Sequence, residues 1–501
     1  MARRNSPSIT VPIMPARSIS RDVGQLFEWA LVVFAVVAAA LFIFVAFAHL
    51  SDRAFITYQA GSRMGLALYA REGILYPPLF DHGFYGGTRM MPIPILLHTG
   101  LSFLTGEFLV SGKLLTFLSY LALLFVAFRA MRSVGCPPVR SAVLLIAVTV
   151  SAVGIWTSLT ISYDPLPVAL QLVALMLVAR GRGKAPIVIA GGLCALALFT
   201  KLSAIWAIGA IALWLCLRDR RALASFLVAF IAVSGLAILL VQLGSEGRFW
   251  QNISSFSSSA VGDEGIGRVP SQLVEMASIA PVLYVLLPLA VVEFVLSIRN
   301  KDVTIHHVAA PFAAATLIVL LTRSGAVFNH LLDMMILSAV LTARLWMRWT
   351  HEALTRATLV PIAVTLAMVA SYPVLRISVA EASSELLQGD EAFLDRMLDP
   401  ADRILSEDAS IPIMQGQVPV VLDPFLLPTI GARDPLAYEA LIERLERREF
   451  DRVILAYPLN DVPEDWYVMQ FGSSVVDAIE ENYFLLEGRR TFLYVYAPRP
   501  H

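Results

Sequence analysis

Residues 184–218 read KAPIVIAGGLCALALFTKLSAIWAIGAIALWLCLR, and the 33 residues inside those basic ends carry one charge, Lys201. A bilayer-spanning helix needs about 20 mostly apolar residues. The run is too long for one span, so it predicts two short helices with Lys201 at the tight turn between them. Working outward, comparable apolar runs lie at 28–50, 109–131, 139–156, 163–180, 221–243, 273–298, 304–322, 325–345 and 355–376. With 186–200 and 202–217 these predict about 11 transmembrane helices. The segment 91–105 is apolar but short and opens with Pro92 and Pro94. It is expected to form a juxtamembrane or re-entrant helix.

Composition supports this class. Of 501 residues, 57% are hydrophobic and 15% charged, with a mean hydropathy of +0.71. Soluble chains carry about 25% charged residues, so a soluble enzyme and a disordered chain are both excluded. Three cysteines, Cys136, Cys194 and Cys216, make no disulfide framework. The net charge of −1 hides a split: residues 377–501 carry 23 acidic and 10 basic side chains, and the first 376 carry 16 and 28. This is a basic membrane domain followed by an acidic soluble one.

Lys and Arg in short loops set orientation. Basic clusters at Arg129–Arg140, Arg180–Lys184, Arg218–Arg221, Arg299–Lys301 and Arg344–Arg356 fall on the same side as the N-terminal arginines if there are eleven spans. The expected organisation is therefore a cytoplasmic N-terminal tail (1–27), a transmembrane domain (28–376) with outer loops 51–108 and 244–272, and an extracytoplasmic domain (377–501). In a bacterium this places the chain in the inner membrane with its C-terminal domain in the periplasm. Helical candidates 380–398, 435–450 and 472–482, with strand candidates 418–422, 452–457 and 491–496, give that domain an α/β character. The chain is thus a polytopic α-helical membrane protein with a small C-terminal extracytoplasmic α/β domain.

Ionisable groups near a bilayer are costly and point to function. Asp52 follows the first span and starts a stretch, 53–72, expected to lie along the membrane. Asp164 precedes Pro165 between spans three and four, where it suits either a cavity wall or a helix N-cap. Lys201 at its turn could snorkel, pair with Asp52 or Asp164, or hold a phosphate as a point charge. The stretch YPPLFDHGFYGGTRMMP (76–92) is a structured loop carrying Tyr85 and its one basic side chain other than His82, Arg89, a phosphate candidate. GSEGRFWQNISS (244–255) supplies Arg248 and Asn252. FNHLLDMM (328–335) places Asn329 and Asp333 four apart on one helix face beside His330, a cavity wall.

No phosphate-binding glycine loop, paired-cysteine zinc pattern or Gly-x-Ser-x-Gly elbow is present. No cofactor is expected, and a divalent metal would have no ligand motif to hold it. No basic patch suggests nucleic acid.

In order, the chain has an acid after the first span (SDRAF, Asp52), an aromatic-Pro loop with a short helix, an Asp-Pro turn (SYDP, Asp164–Pro165) and a Thr-Lys turn (FTKLS, Thr200–Lys201). A large outer loop and a soluble tail complete it. This order resembles the GT-C superfamily of integral membrane glycosyltransferases, the group of the lipid A aminoarabinose transferase and the protein O-mannosyltransferases. The resemblance implies a polyprenyl-phosphate sugar donor, an acceptor that is a cell-envelope glycan, lipid or protein, and inversion at the anomeric carbon. It also implies Asp52 as base, Asp164 as a group orienting Lys201 or the donor sugar, and Lys201, Arg89 and Arg248 as phosphate ligands. Tyr85, Asn252, Asn329, His330 and Asp333 would line the substrate cavity. Family members often have a second acid beside the first; here Arg53 follows Asp52, so a metal held by paired acids is not implied. A transporter or flippase of lipid-linked sugars would share the cavity and the cations, and a non-catalytic scaffold would leave these residues scattered.

Overall fold

Apolar runs become helices because a membrane interior leaves the backbone no partner but itself. The computed structural model describes residues 16–181, 183–256, 265–322, 328–350, 354–382, 385–461, 466–489 and 493–500. Most of the tail 1–27 and part of the loop 244–272 therefore lie outside the described residues. The helices are α1 (Ala16–Ala48), α2 (Tyr58–Arg71), α3 (Pro92–Thr105), α4 (Phe108–Ser133), α5 (Pro138–Thr149), α6 (Ala152–Leu159), α7 (Pro165–Arg180) and α8 (Lys184–Thr200). They continue as α9 (Trp206–Arg218), α10 (Arg220–Gly244), α11 (Arg248–Phe256), α12 (Val269–Ile279), α13 (Pro281–Arg299), α14 (Ile305–Leu321), α15 (Leu331–Trp349) and α16 (Leu354–Ala382).

This is a multi-pass membrane protein. Among the described residues, six helices are long and apolar enough to cross a bilayer: α1 from Trp29, α4, α10, α13, α15 with the turn before it, and α16. Counted as one span, α5 with α6, which bend by 78°, would make a seventh. Ser151 makes the break and caps α6 through Gly154 N–H at 3.1 Å. Four shorter apolar helices, α7, α8, α9 and α14, lie where the other spans are expected, and at 16, 17, 13 and 17 residues each falls short of a full span. The expected run 273–298 is divided at Ala280, where Pro281 opens α13. Helix α3, at 14 residues, covers about 21 Å of a core about 30 Å thick.

Three of the basic loops meet at one end of the bundle. Arg140 donates to Thr350 Oγ1 at 2.6 Å, and Arg344 and Arg348 donate to Asp302 Oδ2 at 2.8 and 3.0 Å.

After α16 come α17 (Glu385–Met397), α18 (Ser410–Met414), α19 (Leu427–Arg433), α20 (Pro435–Glu446), α21 (Trp466–Gln470) and α22 (Ser473–Asn482). With them are the strands β1 (Ile404–Ser406), β2 (Arg452–Leu455), β3 (Tyr483–Arg489) and β4 (Leu493–Pro498). The sheet order is β1-β2-β4-β3; β1 and β2 are parallel and the other pairs antiparallel. The expected strand 418–422 does not join this sheet. Its Val420 and Leu422 instead bond Tyr85 of loop one, at 2.8 and 2.9 Å.

The stretch 53–72 also differs from expectation. Instead of lying on lipid, α2 is buried from Ala60 to Ala67, between α3 and α4 on one side and α18 on the other. Small residues permit this: a Cβ on Gly61 would stand 2.3 Å from Asp408 Oδ1 and 2.5 Å from Ser410 N.

Candidate active site

The end of the bundle that carries the C-terminal domain holds a cavity of about 670 Å³. Its charged part is built from helix ends. Asp164 stands just before Pro165, Lys201 ends α8, and Asn329 and His330 lie in the turn that starts α15. Lys201 Nζ donates to Asp164 Oδ1 and, at 3.2 Å, to His330 Nδ1. The second Asp164 oxygen accepts from Ser162 Oγ and from Asn329 Nδ2, the latter at 2.8 Å. Burial pushes the Asp164 carboxyl up, but Lys201, Arg63 and His330 outweigh it and hold it far below the usual carboxylate range. Asp164 is thus an ionised anchor for Lys201.

Arg89 enters from loop one. The backbone on either side of it is held: Thr88 N–H donates to Asn252 Oδ1 at 2.7 Å, and Tyr76 Oη donates to the Met90 carbonyl at 2.9 Å. Arg248 Nε in turn donates to the Tyr76 carbonyl at 2.6 Å. Asn252 and Arg248, expected as substrate ligands, therefore hold the loop that aims Arg89, and neither lines the cavity. Tyr85 is also elsewhere, buried in the core of the C-terminal domain with its hydroxyl on the Ala437 carbonyl at 2.6 Å. Asp333 lies behind the wall and accepts from Trp206 Nε1 at 2.6 Å.

Asp52 is not part of the cavity lining. Its carboxylate accepts from Ala54 N–H at 2.9 Å and lies 2.6 Å from His49 Nδ1 and 3.5 Å from Lys113 Nζ. Burial alone would raise this carboxyl; the His49 hydrogen bond and the Lys113 ammonium outweigh it and hold it below the usual range. Lys113, whose side chain is 2% exposed, also donates to the carbonyls of His49, Asp52 and Ala54 at 2.5, 2.6 and 2.9 Å. Asp52 is the counter-charge of a buried lysine that ties α4 to the end of α1.

Sequence reasoning passed over two charged side chains of the cavity. Arg63, on α2, donates to the Ile161 carbonyl and stacks over Tyr163 with 5.5 Å to the ring centroid. Asp423 comes from the C-terminal domain. The signals were a lone arginine among small residues (AGSRMG) and an Asp-Pro pair like Asp164–Pro165. Asp399–Pro400 and Asp434–Pro435 repeat that pair within the tail, so the pattern alone could not select among them.

Three cations, Arg63, Arg89 and Lys201, face two carboxylates, Asp164 and Asp423. The charged part thus keeps one positive charge, enough to hold an anion. The cavity continues as an apolar strip between α9 and α14, lined by Ile205, Gly209, Phe312, Val319 and Leu320. Gly209 allows it, since a Cβ there would be 2.5 Å from the Phe312 ring. Ile205 and Val319 are half-exposed on the apolar flank of the bundle, so the strip is open towards lipid. Among the described residues no three His, Cys, Asp or Glu side chains gather as a metal site.

No family model and no curated protein matches the chain. Solved structures do. ArnT from Cupriavidus metallidurans bound to undecaprenyl phosphate is similar with a TM-score of 0.57 and 13% identity, over 94% of this chain and 99% of that one. The Archaeoglobus fulgidus oligosaccharyltransferase in its apo form gives 0.54 and 14%, over 94% and 74% of the two chains. AglB from Archaeoglobus fulgidus with an inhibitory peptide and a dolichol-phosphate gives 0.51 and 14%, over 94% and 74%. The chain shares the overall fold of these membrane proteins. At this identity the likeness carries the fold alone. What that fold does here rests on the cavity.

Proposed function

We propose that the protein is a glycosyltransferase that moves a sugar from a polyprenyl-phosphate carrier to an extracytoplasmic acceptor, with inversion. One observation carries this reading: a single cavity joins a positively charged end to an apolar strip open to lipid, the two halves of a lipid phosphate. Lys201 and Arg89 hold the phosphate, with Arg63 beside them, and the prenyl chain runs along α9 and α14. The undecaprenyl phosphate in the ArnT structure and the dolichol-phosphate in the AglB structure support this choice of ligand. The leaving group is a phosphate and needs cations rather than a general acid.

Asp164, Asn329 and His330 fix Lys201, and Asp333 fixes Trp206. The C-terminal domain covers the acceptor side. With the basic loops in the cytoplasm, the cavity and this domain face the periplasm of a bacterial inner membrane.

The test is release of undecaprenyl phosphate by the purified protein from a panel of undecaprenyl-phosphate sugars. Movement of intact donor across vesicles without release would show a flippase instead. Lys201→Ala should weaken undecaprenyl phosphate binding by about ten- to a hundredfold, the value of one charged hydrogen bond at about 1.5–3 kcal/mol. Lys201→Arg should retain part of it. Unchanged affinity in Lys201→Ala overturns the placement of the phosphate.

A further inference from the structure

We propose that Asp423, brought into the donor cavity by the C-terminal domain, is the general base that takes the proton of the acceptor hydroxyl. This inference rests on the glycosyltransferase reading above.

Asp164, Asp52 and Asp423 stand near the mouth of the bundle, and their surroundings differ. Asp164 is saturated by Lys201, Ser162 and Asn329. Asp52 faces His49 and Lys113 outside the cavity. Asp423 lines the cavity, yet among the described residues its carboxylate accepts a single hydrogen bond, from Phe425 N–H to Oδ1 at 3.2 Å. Lone pairs remain for an incoming hydroxyl. Burial pushes this carboxyl above the usual carboxylate range, against the pull of Arg89 and Arg63, which makes it a better proton acceptor than either of the others.

The position is fixed from several sides. Tyr85 N–H and C=O clamp Val420 and Leu422, just before Asp423. Leu422 packs on α2, where a Cβ on Gly65 would lie 2.4 Å from it. Phe425, two residues on, carries the Arg89 guanidinium over its ring at 5.0 Å. The base is thus set beside the cation assigned to the leaving phosphate. Tyr58, on the same wall, also lines a second, smaller cavity with Trp156, Tyr457 and Trp466, an approach for the acceptor from the domain side.

In the step itself the acceptor oxygen bonds to the anomeric carbon while its proton passes to Asp423. The bond from that carbon to the phosphate oxygen breaks, and its electron pair leaves on the phosphate. The polyprenyl phosphate so formed carries one more negative charge, which Arg89 and Lys201 meet. Asp423 returns its proton to solvent as product departs.

A purely local role is available to Asp423, because it caps the turn Pro424–Leu426. Asparagine separates the two roles: it is as good a cap as aspartate but no base. The experiment uses the full-length protein and an undecaprenyl-phosphate sugar that the wild type turns over, with water as acceptor. Asp423→Asn should lower release of undecaprenyl phosphate by about 10²- to 10⁴-fold, while affinity for undecaprenyl phosphate itself stays unchanged. Formate added to Asp423→Ala should restore part of the rate. A loss in Asp423→Asn of less than about a hundredfold overturns the base, as does an equal loss of undecaprenyl phosphate binding. A wild-type protein that binds undecaprenyl phosphate but releases it from no donor overturns the glycosyltransferase reading, and the base with it.

Discussion

Asp52 and Asp164 look alike in the chain, each an acid at the domain-side edge of an apolar run, but their partners divide their roles. Asp164 meets Lys201 in the cavity wall, whereas Asp52 meets Lys113 inside the protein. Asp52→Asn would leave the Lys113 ammonium with its carbonyl partners but without its nearest carboxylate. The expected cost is about 1–3 kcal/mol, seen as a lower Tm in detergent with undecaprenyl phosphate affinity intact. A variant that keeps the wild-type Tm but has no turnover would return Asp52 to the role of base. Lys113 was hidden from sequence reading, because a lysine one turn into an apolar run reads as a snorkelling side chain until its three carbonyl partners are seen.

At the scale of elements, α2 decides how the halves of the chain meet. Its small face, with Gly61 and Gly65, lets the segment Asp408–Ser410 and Leu422 approach the backbone. Gly61→Val forces that segment away, because the atoms met first include the Ser410 backbone, which cannot swing aside. Overpacking of this kind costs about 1–3 kcal/mol. The variant should show faster proteolysis of residues 400–460 in the folded protein, and wild-type resistance would show that α2 and the domain are not tightly coupled. The amphipathic look of 53–72 was legible, but its partner was not. A helix whose apolar face meets a soluble domain has the same pattern as one that meets lipid.

Across the whole molecule, loop one and the C-terminal domain form one unit though more than 300 residues separate them. Tyr85 belongs to the domain's core, Arg444 donates to the Gly83 carbonyl at 2.6 Å, and Arg53 donates to Asp408 at 2.6 Å. Tyr85→Ala, a change in the loop, should therefore destabilise the domain, by about 3–5 kcal/mol if it behaves as other buried aromatics do. Hydrogen exchange would locate the loss in α20 and β2. Protection lost only near residues 76–92 would contradict the shared core.

The sequence alone determined the membrane class, the helical runs and the charge split between bundle and tail. The physical reason is that a bilayer imposes a length and a hydropathy on each helix and penalises every stray charge. Such signals are local and survive without knowledge of neighbours. Only the tertiary structure decided that Arg248 and Asn252 brace Arg89, that Tyr85 is core, that Asp52 neutralises Lys113, and that Arg63 and Asp423 reach the cavity. These roles depend on contacts between distant segments and on which of several Asp-Pro turns faces inward, and no local pattern encodes either.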